Sequence, residues 1–211
     1  MTYTVKEIFY TLQGEGVNSG RPAVFCRFAG CNLWSGLERD RNTAICRFCD
    51  TDFVWSESAE GGKFISPGDL AQMVADKWPN KTEGKPLVVC TGGEPLLQLD
   101  SNLICEFHDR GFEVAVETNG TLEVPNGVDW ICVSPKANAK LALKGGDEIK
   151  LVFPQEGAPP EIYENLAFRN FFLQPMDGLE RDNNTQLAIE YCKSHPKWRL
   201  SIQVHKIIGI R

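Results

Sequence analysis

Three cysteines carry the strongest chemical signal in the chain. Cys46 and Cys49 are separated by Arg47 and Phe48, and Cys31 is set apart from them by fourteen mostly polar residues. The close pair can hold a metal centre from one tight turn. A structural zinc ion asks for four ligands. The candidates for a fourth (Cys26, His108, His195 and His205) make no second close pair. An iron–sulfur cluster follows a different count. A [4Fe–4S] cube ordinarily takes one thiolate per iron, so three thiolates leave one iron open to the amine and carboxylate of a small molecule. An apolar shell limits water at such a centre, and Leu33, Phe48 and Phe53 are near in sequence. Both a zinc-stabilised binding module and a catalytic iron–sulfur site stay open on this ground alone.

The rest of the chain must position these thiols. Its 211 residues suffice for one domain with a sizeable core, and its net charge of −6 argues against general nucleic-acid or membrane-surface binding. No apolar run reaches the length of a membrane span. The start of the sequence lacks a signal-peptide layout, so a cytoplasmic protein is expected. The other five cysteines do not suggest a disulfide framework. Cys26, Cys90 and Cys132 sit in apolar runs and Cys105 and Cys192 in helix-like segments, where cysteine packs as a small hydrophobe. A reducing compartment fits that usage.

Short apolar runs alternate with helical patterns. Strands are expected at 22–28, 86–91, 112–118, 129–134, 148–153, 170–175 and 199–206, with 22–28 the first. Helices are expected at 66–78, 95–111, near 159–167 and from about 183 to 195, with Ser66 as a cap and Gly111 as a stop. Strands apolar on both faces and separated by helices mean a covered parallel sheet. The helices are fewer than an eight-fold barrel requires. The expected architecture is therefore α/β, an incomplete parallel β/α barrel, as a single domain over 1–211 with an insertion at about 34–45. In such sheets ligands bind at the carboxyl ends of the strands. The segments at those ends are polar or glycine-rich: the cysteine loop, then 91–95, 117–120, 134–136 and 174–178.

The cysteine loop after a strand, the aromatic Phe48 before its last thiol and the Gly-Gly-Glu-Pro turn at 92–95 together resemble radical S-adenosylmethionine (SAM) enzymes. The longer first gap is an insertion relative to that superfamily. The stretches 7–16, 21–33, 46–53, 88–98, 116–121, 133–136 and 202–210 narrow the resemblance to the 7-carboxy-7-deazaguanine synthase family. It runs nearly end to end.

This resemblance implies a lyase that contracts 6-carboxy-5,6,7,8-tetrahydropterin to 7-carboxy-7-deazaguanine with loss of ammonia, on the way to queuosine and other 7-deazapurines. SAM would be used catalytically. The implied cluster ligands are Cys31, Cys46 and Cys49, with Thr51 as a Mg²⁺ ligand. Phe48, Cys49, Asp50, Gly93, Glu94, Ser134, Pro135, Lys136, Gln174, Pro175, Met176 and Asp177 would contact SAM. Leu12, Gln13, Gly14, Arg27, Thr91 and the terminal carboxylate of Arg211 would contact the pterin, Arg27 by a fork suited to a carboxylate. Gln203 and His205 are expected to share one face of the last strand. The implied partners are a flavodoxin- or ferredoxin-like electron donor and a second copy of the chain, and the charged run 38–41 is the expected donor contact. Another radical SAM target, such as a glycyl-radical activase, is the alternative within the superfamily.

Overall fold

The structure, a computed structural model, describes residues 2–57, 60–79 and 84–211. Its strands are β1 (Tyr3–Leu12), β2 (Pro22–Phe28), β3 (Gly62–Phe64), β4 (Leu87–Gly92), β5 (Glu113–Thr118), β6 (Trp130–Val133), β7 (Gly145–Phe153), β8 (Ala167–Pro175) and β9 (Trp198–Leu200). The helices are α1 (Pro67–Lys77), α2 (Ser101–Asp109), α3 (Arg181–Ser194) and α4 (Val204–Ile208). All nine strands form one sheet in the order β3-β1-β2-β4-β5-β6-β7-β8-β9. From β2 to β9 every neighbouring pair is parallel, while β1 runs antiparallel to both β2 and β3.

Period-two alternation sorts the strand residues onto two faces. The helix-covered face carries Val24, Cys26 and Phe28 of β2, Val88 and Cys90 of β4, and Val114 and Val116 of β5, packed with Leu70 and Val74 of α1 and Leu103 and Phe107 of α2. A second cluster joins Ile149, Leu151, Phe171 and Leu173 to Ala188 of α3 and to Trp198. The opposite face starts apolar, with Ala23, Leu87, Val89 and Ala115. Further along the same strands it turns polar, at Arg27, Thr91 and Glu117, which line a cavity of about 390 Å³. No α-helix covers the crossings from β5 to β6 or from β6 to β7, and only a 3₁₀ turn, Pro160–Tyr163, lies between β7 and β8. This is the incomplete barrel expected from the sequence.

Four local expectations are corrected. The first strand is β1, not 22–28; its alternation is broken by a register shift between Val5 and Glu7, which hides it from a period-two reading. The helix expected at 95–111 is split into a 3₁₀ turn, Pro95–Leu97, and α2, because the Asp100 side chain accepts from the Leu103 amide and starts a new helix there. The segment 159–167 holds no α-helix, only the 3₁₀ turn and the first residue of β8. The last strand stops at Leu200 and the chain turns into α4, so Gln203 and His205 do not share a strand face.

Asp100 has a second task. Its carboxylate also accepts from the Tyr3 hydroxyl, at 2.9 and 3.0 Å, which ties buried β1 to α2. Asp100→Ala removes a cap and strands a buried hydroxyl, so it should cost about 2–4 kcal/mol in urea unfolding. Tyr3→Phe, which leaves the cap in place, should cost about 1 kcal/mol. Equal losses in the two variants would contradict this division of labour.

Candidate active site

The cavity opens at the carboxyl ends of the parallel strands. Its wall includes Cys31, Cys46 and Cys49 from the loop after β2, Gly92 at the end of β4 and Gly93 after it, Asn119 after β5, Ser134 and Lys136 after β6, and Met176 and Asp177 after β8. It also includes Leu12, Gln13 and Gly14 after β1, and Gln203, His205, Lys206 and Arg211 from the end of the sequence. Of the cluster, SAM, Mg²⁺ and pterin contacts implied by the resemblance, only Glu94 and Pro135 do not line it.

The cysteine loop is fixed at its root by backbone contact. Gly93 donates to Phe28 O at 3.2 Å and Glu94 to Gly30 O at 2.9 Å. A Cβ on Gly92 would lie 2.1 Å from Phe28 O, and one on Gly93 would lie 2.1 Å from Gly30 O. Gly92 also holds a φ of +137°, so both positions exclude any side chain. The Glu94 carboxylate is buried and spent within the protein. It accepts from the Leu96 and Asn119 amides and the Thr118 hydroxyl at 2.7–3.0 Å, and burial raises its pKa above the usual carboxylate value.

Around the thiols the surface is apolar. Leu33, Trp34 and Phe53 are buried, with Trp34 and Phe53 packed edge to face at 5.5 Å. Cys49 accepts from Cys46 and from the Thr51 amide and its pKa falls to about 6, while Cys46, the donor, is pushed up. Burial raises Cys31 against the pull of the Leu33 and Trp34 amides. Lys136 supplies a nearby cation, held by the carbonyl and hydroxyl of Ser134 at 2.7 Å each. Three of the four candidates for a further metal ligand are committed elsewhere. Cys26 is in the outer core, His108 bonds Asp129 at 2.9 Å and His195 stacks on Tyr191; only His205 lines the cavity. Among the described residues no group of three Cys, His, Asp or Glu side chains is drawn together around a single ion. A cluster places each thiolate on a different iron, and so takes ligands more widely spaced than one ion does.

Charged groups line the floor. Arg27 donates from Nε to Glu7 at 2.7 Å, and Glu7 also accepts from Arg211 at 2.6 Å. The Arg211 guanidinium further pairs with Glu60, and its carbonyl accepts from Thr11. Lys206 bridges Asp50 of the cysteine loop and Asp177 after β8, and holds Asp177 below its usual range. Gln13 donates to Glu117 at 3.0 Å, and Thr91 does so at 3.3 Å.

The sequence reading missed Glu15, Glu117 and Lys150, the ion cluster at the centre of that floor. Lys150 pairs with Glu15 and, at 3.4 Å, with Glu117; the Lys150 side chain is only 6 % exposed and that of Glu15 only 12 %. A signal existed: Lys150 stands between Ile149 and Leu151 in a strand otherwise read as buried on both faces, and a buried charge demands a partner. Cys132 was expected to be a packing residue; it is buried and its side chain lines the cavity.

No family model matches the chain. Curated relatives match it over its whole length. It is 61 % identical over 210 residues to the 7-carboxy-7-deazaguanine synthase of Caulobacter vibrioides, covering 100 % of both chains. The chain belongs to the 7-carboxy-7-deazaguanine synthase family. The Nitratidesulfovibrio vulgaris member is 55 % identical over 215 residues, again covering both chains completely. Among solved structures it resembles QueE from Escherichia coli, with a TM-score of 0.71 and 29 % identity, covering 97 % of this chain and 95 % of that one. The chain thus has an α/β partial-barrel fold, with its cavity at the carboxyl ends of the parallel strands. Among the described residues no helix is long and apolar enough to cross a membrane.

The ion cluster makes a signed prediction. In the native chain burial raises the Glu15 pKa, but Lys150, with Gln203 and His205, more than offsets it, so the net shift is downward. Glu15 therefore adds stability above its unfolded pKa, and the gain is lost as pH falls through the lowered folded value. Lys150→Met leaves the carboxylates unpaired and should cost about 3–5 kcal/mol at neutral pH. Burial then acts on Glu15 against only Gln203 and His205, so the variant should recover stability on mild acidification where the native chain does not. Unfolding curves between pH 4 and 7 (roughly the carboxylate range) test the reversal.

Proposed function

We propose that the chain performs the radical ring contraction of 6-carboxy-5,6,7,8-tetrahydropterin to 7-carboxy-7-deazaguanine, with loss of ammonia. The observation that carries this reading is the meeting of Cys31, Cys46 and Cys49 with Arg27, Thr51 and Glu117 on one cavity. The cavity lies within the range of small-molecule sites. The three thiols fit a [4Fe–4S] cluster: they come from one loop, stand in an apolar shell and face a lysine. When bound, a cluster with one thiolate-free iron would hold SAM and supply the electron that cleaves it to a hydrogen-abstracting 5′-deoxyadenosyl radical.

The remaining residues bind and orient. The Gly92–Gly93 backbone packs against the root of the cysteine loop and lines the cavity beside Cys31. Ser134, Lys136, Gln174, Pro175, Met176 and Asp177 form the facing wall and suit the SAM methionyl and adenosyl parts. No acceptor among the described residues engages the terminal nitrogens of Arg27, so they suit the substrate carboxylate. The Thr51 hydroxyl, next to Asp50, would be an oxygen ligand suited to Mg²⁺, which would offset the negative charge of the substrate. Glu117, Gln13 and Thr91 offer acceptors and donors for the edge of the pterin. Closure by Gln203, His205 and Lys206 excludes water that would quench a radical. Reduction by a flavodoxin- or ferredoxin-like donor, a cytoplasmic setting and a homodimer complete the reading, the last supported by the exposed Ile207 and Ile208.

Anaerobic reconstitution should give a brown protein with about four irons per chain. Given SAM, reductant and carboxytetrahydropterin, it should form product without net SAM consumption. Cys46→Ala should abolish both the colour and SAM cleavage. Arg27→Gln, which removes a charge-assisted contact of about 1.5–3 kcal/mol, should raise KM roughly tenfold or more with the cluster intact. A colourless, zinc-loaded and inactive protein would refute the proposal.

A further inference from the structure

The segment between Cys31 and Cys46 is expected from sequence to present charges outward. The structure departs from this at one residue. The segment folds into a 3₁₀ turn, Glu38–Thr43, and Arg41 at its end turns back toward the thiols. Its Nη1 donates to Arg47 O at 2.8 Å and to Cys49 O at 3.1 Å. Its guanidinium lies 4.0 Å over the Trp34 ring, and the same ring packs edge to face on buried Phe53. Glu38 holds the other side of the fork. The Arg41 side chain is 27 % exposed, against 79 % for Arg39 beside it.

We infer that Arg41 is a positioning residue for the iron–sulfur centre, clamping the Arg47–Cys49 turn through its carbonyls and fixing a positive charge beside Cys46 and Cys49. The inference rests on the cluster reading proposed above. Three features carry it. The two acceptors belong to the turn that carries two of the three thiols, so bending that turn moves sulfur. A planar fork stacked on an indole is held more rigidly than a lysine would be. The ends of the segment are also anchored, since Ile45 and Cys46 both donate to Leu33 O at 3.1 and 3.4 Å. The insertion is thus a brace that reaches from Trp34 to the backbone of Cys49. A fixed cation near the centre favours the more negative reduced form, which raises the reduction potential, since net charge and surrounding hydrogen bonds set that potential.

The test compares the anaerobically reconstituted native chain with Arg41→Gln and Arg41→Lys. Iron release to a ferrous chelator and the midpoint potential, followed by electron paramagnetic resonance of the reduced centre, are the two readouts. Arg41→Gln should release iron about tenfold faster or more and show a more negative potential. Arg41→Lys keeps the charge without the fork. It should stay near the native potential yet still release iron faster. Native behaviour of Arg41→Gln in both readouts overturns the inference. So does a fall in the melting temperature of the cluster-free Arg41→Gln and Arg41→Lys chains alike with no change in potential, which makes Arg41 a folding residue only. A native chain that takes up no cluster is a separate failure, seen before any variant is compared, and falls on the cluster reading itself.

Discussion

The site depends first on a backbone-to-backbone contact. The Gly92–Gly93 turn lies directly against Phe28–Gly30, with no side chain between them. That contact sets where the cysteine loop leaves the sheet. Glu94 extends it to the end of β5 through Thr118 and Asn119. Asn119 then donates to Asn32 at 2.9 Å, and Asn32 to Thr121 at 2.8 Å. Three strand ends and the first cysteine are joined by hydrogen bonds that a Cβ at either glycine would break. Glu94 serves this frame with its whole carboxylate, which is why it is absent from the cavity wall.

Within that frame the cavity is divided electrostatically. The half bearing the thiols is apolar and holds Lys136; the floor holds Glu15, Glu117 and Lys150, with Arg27 and Glu7 beside them. Buried charges of this kind contribute little net stability when paired but cost much when one partner is lost. Their value lies in orientation. Each carboxylate is held by a named donor and cannot swing to neutralise a neighbour.

Much of this could be read in the sequence, for physical reasons. Residues 86–90, and 149–152 apart from Lys150, are apolar because they lie in strands packed on both sides, and that pattern marks parallel strands. The turns after those strands stand out through glycine, asparagine and proline. Strand β1 was invisible because a bulge breaks its alternation. The end of the chain misled because Gln203 and Val204 follow partners in the loop after β1 and not a strand period: Gln203 donates to Glu15 and Val204 to Gly14 O. Glu15 and Lys150 lie 135 residues apart, and no local pattern links them. Arg41 looked like one more surface charge in a polar run; only the fold brings Trp34 and the Cys49 carbonyl to it.

The order of the sheet bears on how the protein is made. From β5 to β9 each strand adds beside the one before it in the sequence. Synthesis proceeds from the N-terminus and domains fold as it goes. The three thiols, the glycine turn that fixes their loop and the Asn119 bridge are all complete by residue 121. Lys136, Lys150 and the closing segment at 203–211 come later. The frame of the thiol site is therefore built from the first 121 residues, and the elements that close the cavity are added to it from the rest of the chain.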